Sequence, residues 1–223
     1  MSAPGSAERP PAEVFLRPLG NPIPLAFFAL AAGTFTLAAL QLGWIPAGQS
    51  RHVALVLVAF VFPLQLVAAL LAFLARDGST GAGVGLVAGG WLTIGLVTLT
   101  SPPGSANTTL GVFLLALALQ LIAPVLSAIP SKAVAAAVVA GTALRFALTA
   151  IYELTGSGTW ETIAGIAGIA LFVLAFYGGL AFELADAHHG SGPLPIGRGE
   201  DGHPVDSDPT HHIDRAPGVR PLL

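Results

Sequence analysis

The sequence predicts an all-α membrane protein with six transmembrane helices and both termini in the cytoplasm. Three observations predict this class: an apolar composition, six long apolar runs, and the distribution of Lys and Arg. Hydrophobic residues make up 54% of the 223 residues and charged residues only 9%, whereas a soluble domain carries about 25% charge. A helix crosses a hydrocarbon core of ~30 Å with roughly 20 apolar residues, and each run approaches that length.

The six apolar runs are separated by short segments rich in Pro, Gly, Ser and charge. They cover approximately residues 24–45, 53–75, 81–99, 110–129, 133–154 and 160–183. A backbone in lipid must bond to itself, and barrel strands need only about 9–11 residues, so each run is predicted to be a helix. Pro63 and Pro124 predict a kink in runs two and four. Residues 1–20 and 187–223 are predicted to be disordered cytoplasmic ends, flanking a transmembrane domain of residues 21–186.

The first run opens with the segment Asn21-Pro22-Ile23-Pro24-Leu25. Proline is tolerated in the first turn of a helix, where its missing N–H has no intrahelical partner. Asn21 is predicted to be the N-cap of this helix. We expect Asn21, Pro22, Pro24 and Leu25 to shape the cytoplasmic mouth of a pathway through the protein.

The fifth run carries an arginine within the membrane. Small or polar residues recur every four positions along one face of this run: Ala133, Ala137, Gly141, Arg145, Thr149 and Glu153. A charge at this depth is costly and therefore suggests a functional site. We interpret Arg145 as the anion-attracting group of a path lined by Gly141, Thr142 and Thr149. The alternative is a structural Arg145 that carbonyls and water satisfy.

The remaining features exclude several classes of function. A net charge of −3 without a basic stripe argues against a nucleic-acid partner. The runs hold no nucleophile–base pair, phosphate loop or metal motif, so we expect no enzyme activity, cofactor or metal. The tail histidines, such as His188 and His189, are interpreted as solvated. Gln41, Gln65 and Gln120 are expected to bond neighbouring helices, because an amide in lipid is costly.

Small residues also predict how the helices pack. Gly81, Gly85 and Gly89 form a stripe in run three that lets another helix approach closely. Together with the small-residue faces of runs five and six, this stripe predicts a homo-oligomer in the lipid bilayer.

The two ends of the chain resemble a known family. Asn21-Pro22-Ile23-Pro24-Leu25 resembles the Asn-Pro-Ala-Pro-Leu signature of the acetate uptake transporters, the SatP/YaaH-like group. Gly43-Trp44, Glu183 and the segment Leu194-Pro195-Ile196-Gly197 are also similar to the family pattern. The resemblance covers about residues 17–198. It implies a six-helix protomer in a hexamer, with a path for acetate and, in some members, succinate; proton-coupled uptake and anion-channel behaviour are both proposed for the family.

The middle of the chain departs from the family pattern. The family path narrows at a Phe on helix one, a Tyr on helix three and a Leu on helix five. These positions fall near Leu30, Gly89 and Thr142, and none keeps the family residue. The family Gly-Gly and Gln of helix two are replaced around Phe62–Gln65. Leu30 is expected to face the methyl group of acetate.

The sequence leaves three functions open. The first is a plasma-membrane carrier or channel for small monocarboxylates. The second is a channel for small neutral solutes such as urea or amides. The third is a non-transporting anchor or sensor whose tail binds a partner. Arg145 favours the first, because a fixed cation favours anions.

Topology gives the first testable prediction. With a cytoplasmic N-terminus, seven of the nine Lys and Arg fall in cytoplasmic segments and only Arg51 falls outside, while Arg145 lies in the membrane. Reporter fusions after Gly104 and at the C-terminus are therefore expected on opposite sides of the membrane. Two reporters on the same side would contradict this topology.

Overall fold

The computed structural model describes residues 20–130, 132–188 and 193–196, and these contain helices but no strand. Six helical spans are long and apolar enough to cross a bilayer: span 1 (Ile23–Gln41), span 2 (Ala47–Leu74), span 3 (Gly78–Thr100), span 4 (Thr108–Ala128), span 5 (Ala133–Thr155) and span 6 (Gly158–Ala187). The predicted fold class and helix number are confirmed. The ends predicted to be disordered lie almost wholly outside the described residues, and the orientation of the termini stays a prediction.

Polar contacts between the residue that precedes one span and the end of another define two ends of the bundle. The Asn21 side-chain amide donates to Asp186 at 3.4 Å, so the start of span 1 and the end of span 6 lie together. We call this the proximal end. At the opposite, distal end, the backbone N–H of Asn107 before span 4 donates to Glu153 of span 5 at 2.6 Å. Span 1 packs chiefly against span 6, span 2 against span 3, and span 5 against spans 4 and 6.

Span 1 begins almost as its sequence predicts. The helix starts at Ile23, with Pro22 at the N-cap position and Pro24 in the first turn. The side-chain oxygen of Asn21 accepts from the Ile23 N–H at 3.1 Å. Asn21 therefore satisfies one free N–H of the helix, but from the residue before the N-cap. The predicted N-cap is wrong by one residue, because the first helical backbone bond, from the Ala26 N–H at 3.1 Å, ends on the carbonyl of Pro22 and not on that of Asn21.

The two internal prolines interrupt their spans in different ways. In span 2, a π-helical turn at Leu57–Val61 separates the helices Ser50–Val56 and Phe62–Leu74. Pro63 has no N–H to donate and its ring crowds the preceding turn, which the wider π-turn accommodates. In span 4, the helices Thr108–Gln120 and Ile122–Ala128 meet at Leu121, three residues before Pro124.

Small residues bring spans 1 and 6 into close contact. A Cβ added at Gly165 would lie 2.7 Å from Leu42, and one added at Gly168 would lie 2.8 Å from Ala38. The Cβ of Ala38 cannot move aside, so the seam needs glycine at position 168, whereas a larger residue at position 165 would have to displace the Leu42 side chain.

The predicted glycine stripe of span 3 faces span 2 of the same chain. A Cβ at Gly81 would lie 2.8 Å from the Phe73 ring and one at Gly85 would lie 3.7 Å from Ala69, whereas nothing lies within 4 Å of one at Gly89. The first glycines of the stripe therefore serve packing inside one chain. Gly89 is the one glycine of this stripe with open space beside it, so it alone supports a contact with another subunit.

An ion pair joins two loops at the proximal end. Lys132, before span 5, donates to Asp77, before span 3, and about a third of each side chain is exposed. Asp77 also caps span 3 by accepting from the Thr80 N–H at 3.0 Å. Burial raises the pKa of Asp77, but hydrogen bonds from Lys132 and Thr80 outweigh burial and leave the pKa below its ordinary 3.8.

This ion pair predicts acid-dependent stability. Because the folded state lowers the pKa of Asp77, its contribution is complete above pH 3.8 and is lost as pH falls through the lower folded value. We expect Asp77→Asn, which retains a capping oxygen, to lower the free energy of unfolding near neutral pH by about 0.5 kcal/mol. Thermal unfolding between neutral and acidic pH measures this difference.

The difference between Asp77→Asn and the unsubstituted protein should shrink at acidic pH, because Asp77 is then protonated in both states. Lys132→Gln should reproduce most of the loss at neutral pH. A constant difference across the whole pH range would contradict the assignment.

Candidate functional site

The centre of the candidate site is the guanidinium of Arg145, which is 1% exposed. Its Nε donates to Thr34 Oγ1 at 3.2 Å and its Nη1 to Gln41 Oε1 at 2.8 Å, both on span 1. Nη1 also donates to the backbone carbonyl of Ala164 on span 6. A single side chain from span 5 thus connects three spans.

The small residues of span 6 make room for this cation. A Cβ added at Gly168 would lie 2.7 Å from Cζ of Arg145, so any larger residue would displace the guanidinium. Thr34 Oγ1 also donates to the Gly168 carbonyl at 3.4 Å and thereby leaves its lone pairs free to accept from Arg145. The spans 1 and 6 seam therefore also forms the socket of the cation.

The socket leaves the charge of Arg145 uncompensated. Its partners in the described part of the chain are a hydroxyl, an amide oxygen and a carbonyl, none of them a carboxylate. Its Nη2 has no hydrogen-bond partner. Leaving a buried charge unpaired is expensive, so the site is suited to receive an anion.

A cavity of about 80 Å³, lined by both polar and apolar side chains, opens beside this socket at the distal end. We call it the distal cavity. It is lined by side chains and backbone of spans 1 to 6 and of the loops between them. Its polar side chains are Gln41, Ser50, Thr98, Ser101, Ser105, Asn107, Thr149, Tyr152, Glu153 and Glu161. Since one water needs about 10–15 Å³ of such space, several waters or one small solute would fit.

The distal cavity is acidic. Glu153 and Glu161 line it, and its lining contains no Lys or Arg. Glu153 accepts from the Asn107 N–H at the start of span 4, and the Tyr152 hydroxyl lies beside Glu161. Arg145 itself does not line the cavity. Gln41 and Thr149 do, and both lie next to the socket of Arg145.

A smaller cavity of about 30 Å³ lies at the proximal end. It is mostly apolar, and Lys132 is its charged lining residue. Of the predicted mouth segment, only Ile23 lines it. Pro24 is buried, Pro22 and Leu25 are half-buried and Asn21 is exposed, and none of these four lines either cavity. Their role in a mouth stays a prediction.

The other predicted pathway residues are spread through the bundle. Leu30 and Thr142 are buried, and Thr142 donates to the Val138 carbonyl of its own helix at 2.8 Å. Gly89 is half-buried, and Gly141 lies under the Leu171 side chain. Of the predicted set, only two residues lie at the candidate site. Arg145 occupies the socket, and Thr149 lines the distal cavity beside it.

Sequence reasoning missed most acceptors around Arg145. A threonine in a membrane helix usually bonds the preceding turn of its own helix, yet Thr34 bonds span 6 and Arg145. Gln41 and Gln65 bond neighbouring helices as predicted, since Gln65 donates to the Ala26 carbonyl. Gln120 is exposed instead. An amide in lipid is costly and needs a polar partner. Since Arg145 was the charged side chain predicted to lie within the membrane, this cost could have placed Gln41 beside it.

These features define a multi-pass helical membrane protein with a buried cation beside a cavity that contains several polar side chains. The fold is similar to that of a solved structure, described as the bacterial acetate channel SatP, with a TM-score of 0.70. The similarity covers 80% of this chain and 99% of that chain, at 23% sequence identity. No protein-family model and no curated protein matches the chain. The shared fold includes the six-helix arrangement that the resemblance predicts.

Proposed function

We propose that this protein is a membrane channel or transporter for small monocarboxylates such as acetate, and a divergent member of the acetate uptake transporter family. The observation that carries the proposal is the buried Arg145, whose Nη2 has no partner. A carboxylate entering the socket would supply the missing negative charge and accept a charge-assisted hydrogen bond. The fold shared with an acetate channel supports the same solute class.

A second candidate is passage of small neutral solutes such as urea or amides. The acidic lining of the distal cavity, with Glu153 and Glu161, favours hydrogen-bond donors over free anions. The Asn107 N–H bound to Glu153 and the Tyr152 hydroxyl beside Glu161 reduce this preference. We therefore rank the monocarboxylate function first.

Replacement of Arg145 tests the proposal. Arg145→Gln keeps the approximate size and removes the charge, so acetate flux into proteoliposomes should fall at least tenfold, the loss expected for a hydrogen bond to a charged group. Urea flux should change little. The matched control is Thr36→Val, which removes a hydroxyl that donates only to the Ala32 carbonyl of its own helix.

Acetate flux and acetate-over-urea selectivity that both survive in folded Arg145→Gln would make Arg145 structural and defeat the proposal. The same assay with an imposed pH gradient tests coupling to protons. Competition by succinate tests whether a dicarboxylate is accepted.

We also propose that the protein forms a homo-oligomer, a hexamer by its resemblance to the acetate uptake transporters. The open face of Gly89 and the exposed Ala133 and Ala137 of span 5 support a subunit contact. Native mass spectrometry of the protein in mild detergent should show a hexamer. A monomer across all detergents would contradict this.

A further inference from the structure

Two unpartnered polar groups lie one helical turn apart on span 5. In the described part of the chain, five buried side-chain polar atoms have no hydrogen-bond partner: Ser50 Oγ, Gln65 Oε1, Trp91 Nε1, Arg145 Nη2 and Thr149 Oγ1. Arg145 and Thr149 are four residues apart, which places their Cβ atoms about 5–6 Å from each other on one face. Both side chains are more than nine-tenths buried.

The chemistry of this pair identifies the ligand class. Nη2 of Arg145 is a donor only, and the Thr149 hydroxyl can donate to an acceptor. A carboxylate carries two acceptor oxygens and one negative charge, so it can satisfy both donors and the uncompensated cation together. A neutral amide offers one acceptor and leaves the charge unbalanced.

Gln41 stands between this pair and the distal cavity. Gln41 and Thr149 line the cavity, whereas Arg145 does not. The amide oxygen of Gln41 accepts from Nη1 of Arg145. Nη1 also donates to the Ala164 carbonyl, so this nitrogen would still have a hydrogen-bond acceptor after Gln41 rotated away. Gln41 can therefore move away for the loss of one hydrogen bond.

We propose that the inner end of the distal cavity is a subsite for one carboxylate group, held by Arg145 Nη2 and Thr149 Oγ1, and that the Gln41 side chain is its gate. The inference rests on the proposed monocarboxylate function. Glu153 and Glu161 face the same cavity; Glu153 accepts from the Asn107 N–H, and the Tyr152 hydroxyl lies beside Glu161. These two carboxylates repel an anion and the Arg145 guanidinium attracts it, so the solute carboxylate is drawn to the Arg145 end.

Binding and flux of carbon-13 acetate, measured on the full chain in lipid nanodiscs and proteoliposomes, test the subsite. Thr149→Val removes the hydroxyl at nearly constant size and should raise the Kd of acetate about tenfold, as expected for a hydrogen bond to a charged group. Thr36→Val, which loses a hydroxyl that bonds within its own helix, should bind acetate like the unsubstituted protein.

Gln41 is tested by two variants, so that one that fails to fold does not decide the result. Gln41→Leu and Gln41→Ala both remove the acceptor that competes for Arg145. Each should lower the Kd of acetate a few-fold and raise flux at low acetate concentration, because no gate must then be displaced. A Kd that rises instead, as in Thr149→Val, would make Gln41 a ligand and overturn the gate.

The outcomes separate this subsite from the proposed function. If acetate binds and Arg145→Gln abolishes binding, but Thr149→Val binds like Thr36→Val, the subsite is wrong while the monocarboxylate function stands. If the unsubstituted protein shows neither saturable acetate binding nor acetate flux, the proposed function fails and the subsite fails with it.

Discussion

The rest of the site depends on the burial of one guanidinium among three helices. Arg145 reaches from span 5 to spans 1 and 6, where Thr34, Gln41 and the Ala164 carbonyl fix three of its N–H groups. Glycine at position 168 leaves the space for it. The same small-residue seam that packs spans 1 and 6 thus positions the cation. An anion site and a packing seam share their residues, so neither can change independently.

The charged groups follow an order along the bundle. Lys132 lines the proximal cavity, Arg145 lies in the interior, and Glu153 and Glu161 line the distal cavity. The electrostatic energy of an anion falls as the anion moves away from the distal carboxylates and approaches Arg145. Salt screens the two ends, which are open to water, more than the buried centre. Under the proposed function, the interior therefore determines selectivity, and the ends modify how fast a solute enters.

The sequence predicts the spans well because apolar run length, proline position and charge distribution are local properties. Arg145 stands out for the same reason, since its cost does not depend on its neighbours. The hydrogen-bond partners of Arg145 could not be predicted in this way. Thr34 and Gln41 lie 111 and 104 residues away in the chain, and only the packing of spans 1 and 6 brings them together. The stripe at Gly81 likewise has no visible partner until span 2 is placed beside it.

The ion pair and the hydrogen bond at the two ends of the bundle limit how its helices can move. Lys132 and Asp77 join two loops at the proximal end, and Glu153 holds the start of span 4 at the distal end. A motion that separated spans 3 and 5 at the proximal end, or spans 4 and 5 at the distal end, would have to break one of these contacts. Rotation of a single side chain breaks neither. For the proposed transport function, this favours a stationary pore with small side-chain barriers, whose throughput rises with solute concentration, over a slow whole-body step.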